Sequence, residues 1–111
     1  MKMIMAIVHK EDAPELVEEL NRQKFFVTKM ASTGGFLKKG NTTLLTGVED
    51  HLVEKVCEII KQFSGRRRQL VFATTPSAGS LCSGVTSSVP VDMEVGGATI
   101  FVLSVEEFQK F

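Results

Sequence analysis

The chain has 111 residues, 43% hydrophobic and 23% charged, which suits one globular domain and excludes a disordered one. Lysine plus arginine number 13, as do aspartate plus glutamate. That balance argues against binding a nucleic-acid polymer, which needs excess cations to displace counterions. No apolar run approaches the ~20 residues that cross a membrane.

Met3 to Val8 is apolar and β-prone, and predicts a first strand; as a signal peptide it is too short and lacks a cleavage site. Asp12, or Glu11 beside it, is placed as an N-cap, with Pro14 in the first turn and Glu15 three residues after Asp12. Leu16, Val17 and Leu20 then recur at helical spacing, giving a first helix from about Ala13 to Gln23. Phe25 to Met30 predicts a second strand, broken at Gly34-Gly35, and Thr42 to Val48 a third. The second helix follows Glu49, Asp50 and His51; its stripe runs from Leu52 to Phe63, and Gly65 is placed as its stop. Gln69 to Phe72 predicts a short strand. Thr74 to Ser88 has no charge and few large apolar residues, the composition of a long functional or mobile loop. Val89 to Val95 and Ala98 to Val105 predict two strands joined by a Gly96-Gly97 hairpin turn.

The order reduces to β-α-β-β-α-β, the ferredoxin-like α+β arrangement, with two helices on one face of an antiparallel sheet. Strand residues apolar on both faces leave the other face needing cover, so that face is expected to be buried between subunits. A single domain is expected, with no internal repeat beyond the two βαβ halves.

No catalytic set emerges. His9 and His51 are the only histidines, and each is assigned a surface role. Glu11, Asp12, Glu49 and Asp50 read as helix-start residues, and no ligand spacing joins them to the histidines as a metal site. No phosphate-loop, dinucleotide or nucleophile-elbow pattern occurs. Cys57 lies on the apolar stripe of the second helix and Cys82 in the Gly/Ser-rich stretch; they form no CxxC, and a reducing, cytoplasmic compartment is expected.

The stretch Thr28 to Thr43 has the residue types for holding an anionic ligand. Its glycines leave backbone N–H groups accessible to phosphate oxygens. Thr28, Thr33, Thr42 and Thr43 offer hydroxyls, and Asn41 can donate and accept as a base edge requires. Phe36 could stack on a flat ring, and Lys38 and Lys39 add charge. The same composition also suits an ordinary hairpin with a long glycine-containing connection.

The string TGGFLKKGNTT, with MKMI-AIV before it, NRQKFFVTK between and EVGGATIFVL near the end, resembles the PII-like cyclic di-AMP receptor family over Met1 to Phe111. The resemblance implies a PII-like homotrimer with cyclic di-AMP in the clefts between subunits. It also implies flexible loops at about 34–40 and 74–89 that reorder on binding to regulate an unidentified partner protein. No enzyme activity, metal or other cofactor is implied. Carried over by position, Thr28 contacts the nucleotide through its hydroxyl, with the backbone of Val27 and Lys29 along the same edge. Gly35, Phe36 and Leu37 cover an adenine, Asn41 bonds the base edge, Gly47 permits close approach, and Phe101 lines the cleft.

The chain departs from the family pattern at named positions. Phe26 stands where members carry an arginine, Lys24 where they often have asparagine, and Lys110 where glutamine precedes the terminal phenylalanine. These three are substituted contacts. Thr75 to Gly79 replaces a Pro-Met-Gly-Gly segment, and the chain has no tyrosine for the aromatic stretch that follows it. Two further readings stay open: a PII-like trimer for another nucleotide or small anion, and a protein-interaction module without a small ligand.

Overall fold

The computed structural model describes residues 1–32, 40–74 and 88–111, without the side chains of 32, 71–74, 88 and 89. The elements are β1 (Lys2–His9), α1 (Ala13–Arg22), β2 (Thr28–Ser32), β3 (Asn41–Val48), α2 (Val53–Ser64), β4 (Arg67–Thr74), β5 (Ser88–Val95) and β6 (Ala98–Ser104). A 3-10 turn, Asp50–Leu52, leads into α2. The expected loops at about 34–40 and 74–89 fall almost wholly outside the described residues. Where the second can be followed, at Thr74 and Ser88, it is strand.

β1 alternates, and the alternation builds two layers. Ile4, Ala6 and Val8 are buried under the helices, while Met3, Met5 and Ile7 point to the opposite face. The helices bury Ala13, Leu16 and Leu20 from α1 and Val56, Ile59 and Ile60 from α2. Each such buried large aliphatic side chain contributes on the order of 1.5–3 kcal/mol relative to exposure. The main sheet runs β2-β3-β1-β6, and all of its pairings are antiparallel. First and last strands lie beside each other, the α+β order of a ferredoxin-like sheet.

The hairpin expected at Gly96-Gly97 is not formed. β5 pairs with β4 in a separate two-stranded ribbon, and β6 pairs with β1. The reason is burial: Ala98 and Ile100 pack against the core from β6, which a fold-back onto β5 would not give them. Both glycines have positive φ, 82° and 124°, but they turn the chain from ribbon to sheet rather than strand onto strand. The ribbon lengthens the molecule to 66 × 23 × 22 Å, with a radius of gyration of 18.5 Å. A compact chain of this length has about 13 Å.

Three smaller expectations change. The second strand begins at Thr28, not Phe25, because the Phe25 N–H is already given to the Leu20 carbonyl at the end of α1 (2.8 Å). Asp12 makes no side-chain cap bond; its carboxylate is held by Arg67 Nη2 at 2.7 Å. Gly65 ends α2 in extended backbone rather than the left-handed conformation. A Cβ there would lie 2.3 Å from the Lys61 carbonyl oxygen.

Candidate functional site

Helix α1 closes with a left-handed turn. Lys24, at φ 68°, donates its N–H to Asn21 and Phe25 donates to Leu20, the paired bonds of a Schellman cap. That position ordinarily takes glycine or asparagine, because a Cβ is crowded there. From this cap the chain alternates. Phe25 is in the core with Lys55 Nζ 5.9 Å from its ring centre, whereas Phe26 is 81% exposed. Val27 turns back onto the core, and Thr28 is exposed. Thr46 Oγ1 donates to the Phe26 carbonyl at 2.8 Å and fixes this entry to β2.

Phe26 and Lys24 open onto a groove of about 540 Å³. Its other walls are Met1, Gly47 and Glu49, and Phe108 to Lys110 of the C-terminal segment. That segment is led there by the Val105 N–H donating to the Met1 carbonyl at 3.3 Å. The Met1 ammonium pairs with Asp50 at 2.9 Å, and its hydrogen bond, then its charge, hold the Asp50 carboxyl below the usual range. Gly47 faces open space: an added Cβ would meet only Met1 Sδ, at 4.0 Å. The groove therefore gathers Lys24, Phe26, Gly47 and Lys110, four sequence-predicted positions, with two cations and two exposed aromatic rings, since Phe108 is 63% exposed.

The remaining predicted residues lie elsewhere on the sheet. Thr28, Leu45, Met5 and Phe101 form one row across the strands, on the face away from the helices. Phe101, Met30 and Leu103 are exposed on that face. Lys29 pairs with Leu44 and so belongs to the opposite face, leaving only its backbone toward the row. Asn41 begins β3, paired with His9 on one side and Ser32 on the other, and is 7% exposed. It is already held by contacts within the chain. Gly47 lies six positions further along β3, roughly 20 Å away. One chain thus places Asn41 and the Gly47 groove at opposite ends of the sheet. Gly35, Phe36 and Leu37 lie outside the described residues.

A second cleft, of about 450 Å³, was not foreseen. It lies between the sheet end, at His9, Glu11 and Asp12, and the ribbon base, at Arg67, Gln69, Met93 and Val95. In the sequence, the run Arg66-Arg67-Arg68 is what marks this region. All three are paired: Arg66 with Glu94 (2.9 Å), Arg67 with Asp12 (2.7 Å) and Arg68 with Asp92 (3.2 Å). Cys57 is half-buried, and burial, then nearby Glu58, push its thiol pKa up. Among the described residues no three His, Cys, Asp or Glu converge as metal ligands do, and no helix is long and apolar enough to cross a membrane.

The family model for the cyclic-di-AMP receptor matches residues 1–111. The chain belongs to the cyclic-di-AMP receptor family. Members are PII-like, nucleotide-binding signal-transduction proteins, receptors rather than enzymes. The chain is also similar to a solved structure described as a functionally unknown protein from Pediococcus pentosaceus ATCC 25745. The identity is 38% and the TM-score 0.79, over 99% of this chain and 96% of that one. The family's ligand, with two phosphates and two adenines, is the kind of molecule for which cations beside exposed rings are suited.

Proposed function

We propose that the protein is a homotrimeric cyclic di-AMP receptor in which each ligand is held by two neighbouring subunits. One observation carries the reading. The groove at Lys24, Phe26, Gly47 and Lys110 stands about 20 Å from Asn41 in the same chain. Each end offers part of a nucleotide site, and a neighbour's opposite end supplies the rest. The open sheet face, with Met5, Met30, Phe101 and Leu103, is the surface the neighbour covers. Lys24 and Lys110 supply the positive charge for the phosphates that Phe26 cannot. Phe26 and Phe108 offer flat faces to adenine. Thr28, the backbone of Val27 and Lys29, and Phe101 line the floor between the ends. The segment with Gly35, Phe36 and Leu37 covers the base, and ligand-dependent ordering of the two loops passes the signal to a partner protein.

The test is isothermal titration with cyclic di-AMP, with ATP and cyclic di-GMP as controls, and sedimentation of the same sample. Saturable heat near one ligand per subunit and a trimeric species are expected. No heat at tens of micromolar ligand, or a monomer at micromolar protein, overturns the proposal. The exposed Phe26, in place of a cation, favours a second reading: a trimer tuned to another nucleotide. Heat with a control and none with cyclic di-AMP would establish it.

A further inference from the structure

The last two groups of β1 face two different parts of the molecule. His9 Nε2 lies 3.1 Å from the Gly96 carbonyl oxygen at the foot of the ribbon. A carbonyl only accepts, so Nε2 donates its proton in this contact, and Nδ1 is buried without a partner among the described residues. In the ladder His9 is the register partner of Asn41, and the next N–H, of Lys10, donates to the Gly40 carbonyl at 3.0 Å. The end of β1 is therefore bonded both to the start of β3 and to the foot of the ribbon.

Among the described residues, few other bonds hold the ribbon. Among the described residues, β4 and β5 pair only with each other. At its foot the Gly97 N–H donates to the Ser64 carbonyl at 2.8 Å, and Arg67 bonds Asp12 and the Gly65 carbonyl. Gly96, at φ 82°, sits so close to Gly65 that a Cβ would lie 2.3 Å from its carbonyl oxygen. Among the described residues, the foot is thus a glycine joint with two side-chain fastenings, His9 and Arg67. Only His9 belongs to the sheet strand that also pairs with Asn41.

We infer that His9 is a positioning residue that latches the β4–β5 ribbon and couples its attachment to the Asn41 end of the sheet. The latch stands on the geometry alone; the coupling to nucleotide rests on the receptor reading. Engagement of Asn41 shifts the start of β3, its partner His9 moves with it, and the Gly96 bond carries the change to the ribbon.

Hydrogen exchange followed by mass spectrometry tests both parts on the full chain. His9→Leu keeps bulk and removes the donor, whereas the Nε2 of His9→Gln reaches a similar place. Without ligand, His9→Leu should speed exchange across residues 67–70 and 91–97 by about tenfold or more, while β1 and β3 stay as in the wild type. His9→Gln should remain within about twofold. Unchanged exchange in His9→Leu, equal acceleration in both variants, or acceleration spread through β1 and β3 would overturn the latch. With cyclic di-AMP, ribbon exchange should slow in the wild type and not in His9→Leu, at affinities within about threefold. A wild type that binds without any change in the ribbon overturns the coupling and leaves the receptor reading intact. A wild type that does not bind overturns both the receptor reading and the coupling, and the ligand-free comparison still decides the latch.

Discussion

Lys24→Gly separates what a residue does for the fold from what it does for the ligand, because the two effects have opposite signs. Lys24 occupies a left-handed backbone position at φ 68°, closing α1. A non-glycine residue there is disfavoured by roughly 1–2 kcal/mol. Glycine relieves that strain but gains freedom in the unfolded chain, which returns about 0.5–1 kcal/mol. The net expectation is a stabilisation of about 0.5–1 kcal/mol, or a rise in melting temperature of roughly 2–6 °C for a domain of this size. The bonds of the cap are from backbone N–H groups and survive the change. Binding moves the other way. A charge-assisted bond to phosphate contributes about 1.5–3 kcal/mol at most, and the lysine is exposed, so a loss near 1 kcal/mol, about fivefold, is the reasonable magnitude. Calorimetric melting at fixed protein concentration and titration with cyclic di-AMP at two salt concentrations measure both. The variant should melt higher, bind more weakly, and show a shallower salt dependence. A lower melting point would refute the strain argument. An unchanged affinity with an unchanged salt slope would remove Lys24 from the site.

Gly47→Val should fold with an unaltered melting point, since a Cβ there meets only Met1 Sδ at 4.0 Å and a β-branched residue suits a strand, yet it should abolish cyclic di-AMP binding in titration. Asn41→Ala should weaken binding by more than about tenfold; because the side chain is nearly buried and already engaged, denaturant melting should also show a loss of about 1–2 kcal/mol, short of unfolding. Cys57 should react slowly with iodoacetamide at pH 8, because burial and Glu58 raise its pKa and deplete the thiolate; peptide mapping that finds it alkylated as fast as a free thiol would contradict the packing of α2.

Much of the architecture was legible because it rests on local periodicity. The alternation of Ile4, Ala6 and Val8 against Met3, Met5 and Ile7, and the stripes of the two helices, depend on residues a few positions apart. The misread places share another cause: a distant residue took the group that local rules had assigned. Asp12 is a good cap by type, but Arg67 claims its carboxylate. Phe25 is a good strand residue, but the cap of α1 takes its N–H. Gly96-Gly97 correctly signals positive φ, and a turn signal does not say which strand the chain will meet next. The site behaves alike. Its residue types could be named, but the convergence of Lys24 and Lys110 needs the C-terminal segment to run past Met1, and nothing near either lysine encodes that path. A left-handed lysine is likewise invisible, since the residue type argues against it.

The departures at Lys24, Phe26 and Lys110 are better understood together than singly. They share one groove wall, so the loss of a cation at Phe26 coincides with cations entering at two positions beside it. Against the pattern the resemblance implies, the groove loses one cation and gains two, so positive charge for an anion is kept while its geometry changes. In place of the planar arginine fork that the resemblance implies, the groove holds two point charges on flexible stems and an exposed aromatic face. Such a site relies more on stacking and less on directional bonding. Its affinity for a flat, doubly charged ligand should fall with salt. On the proposed receptor reading, selectivity between adenine and guanine would fall to Asn41 at the far end of the sheet, because stacking on Phe26 or Phe108 does not distinguish one purine from another.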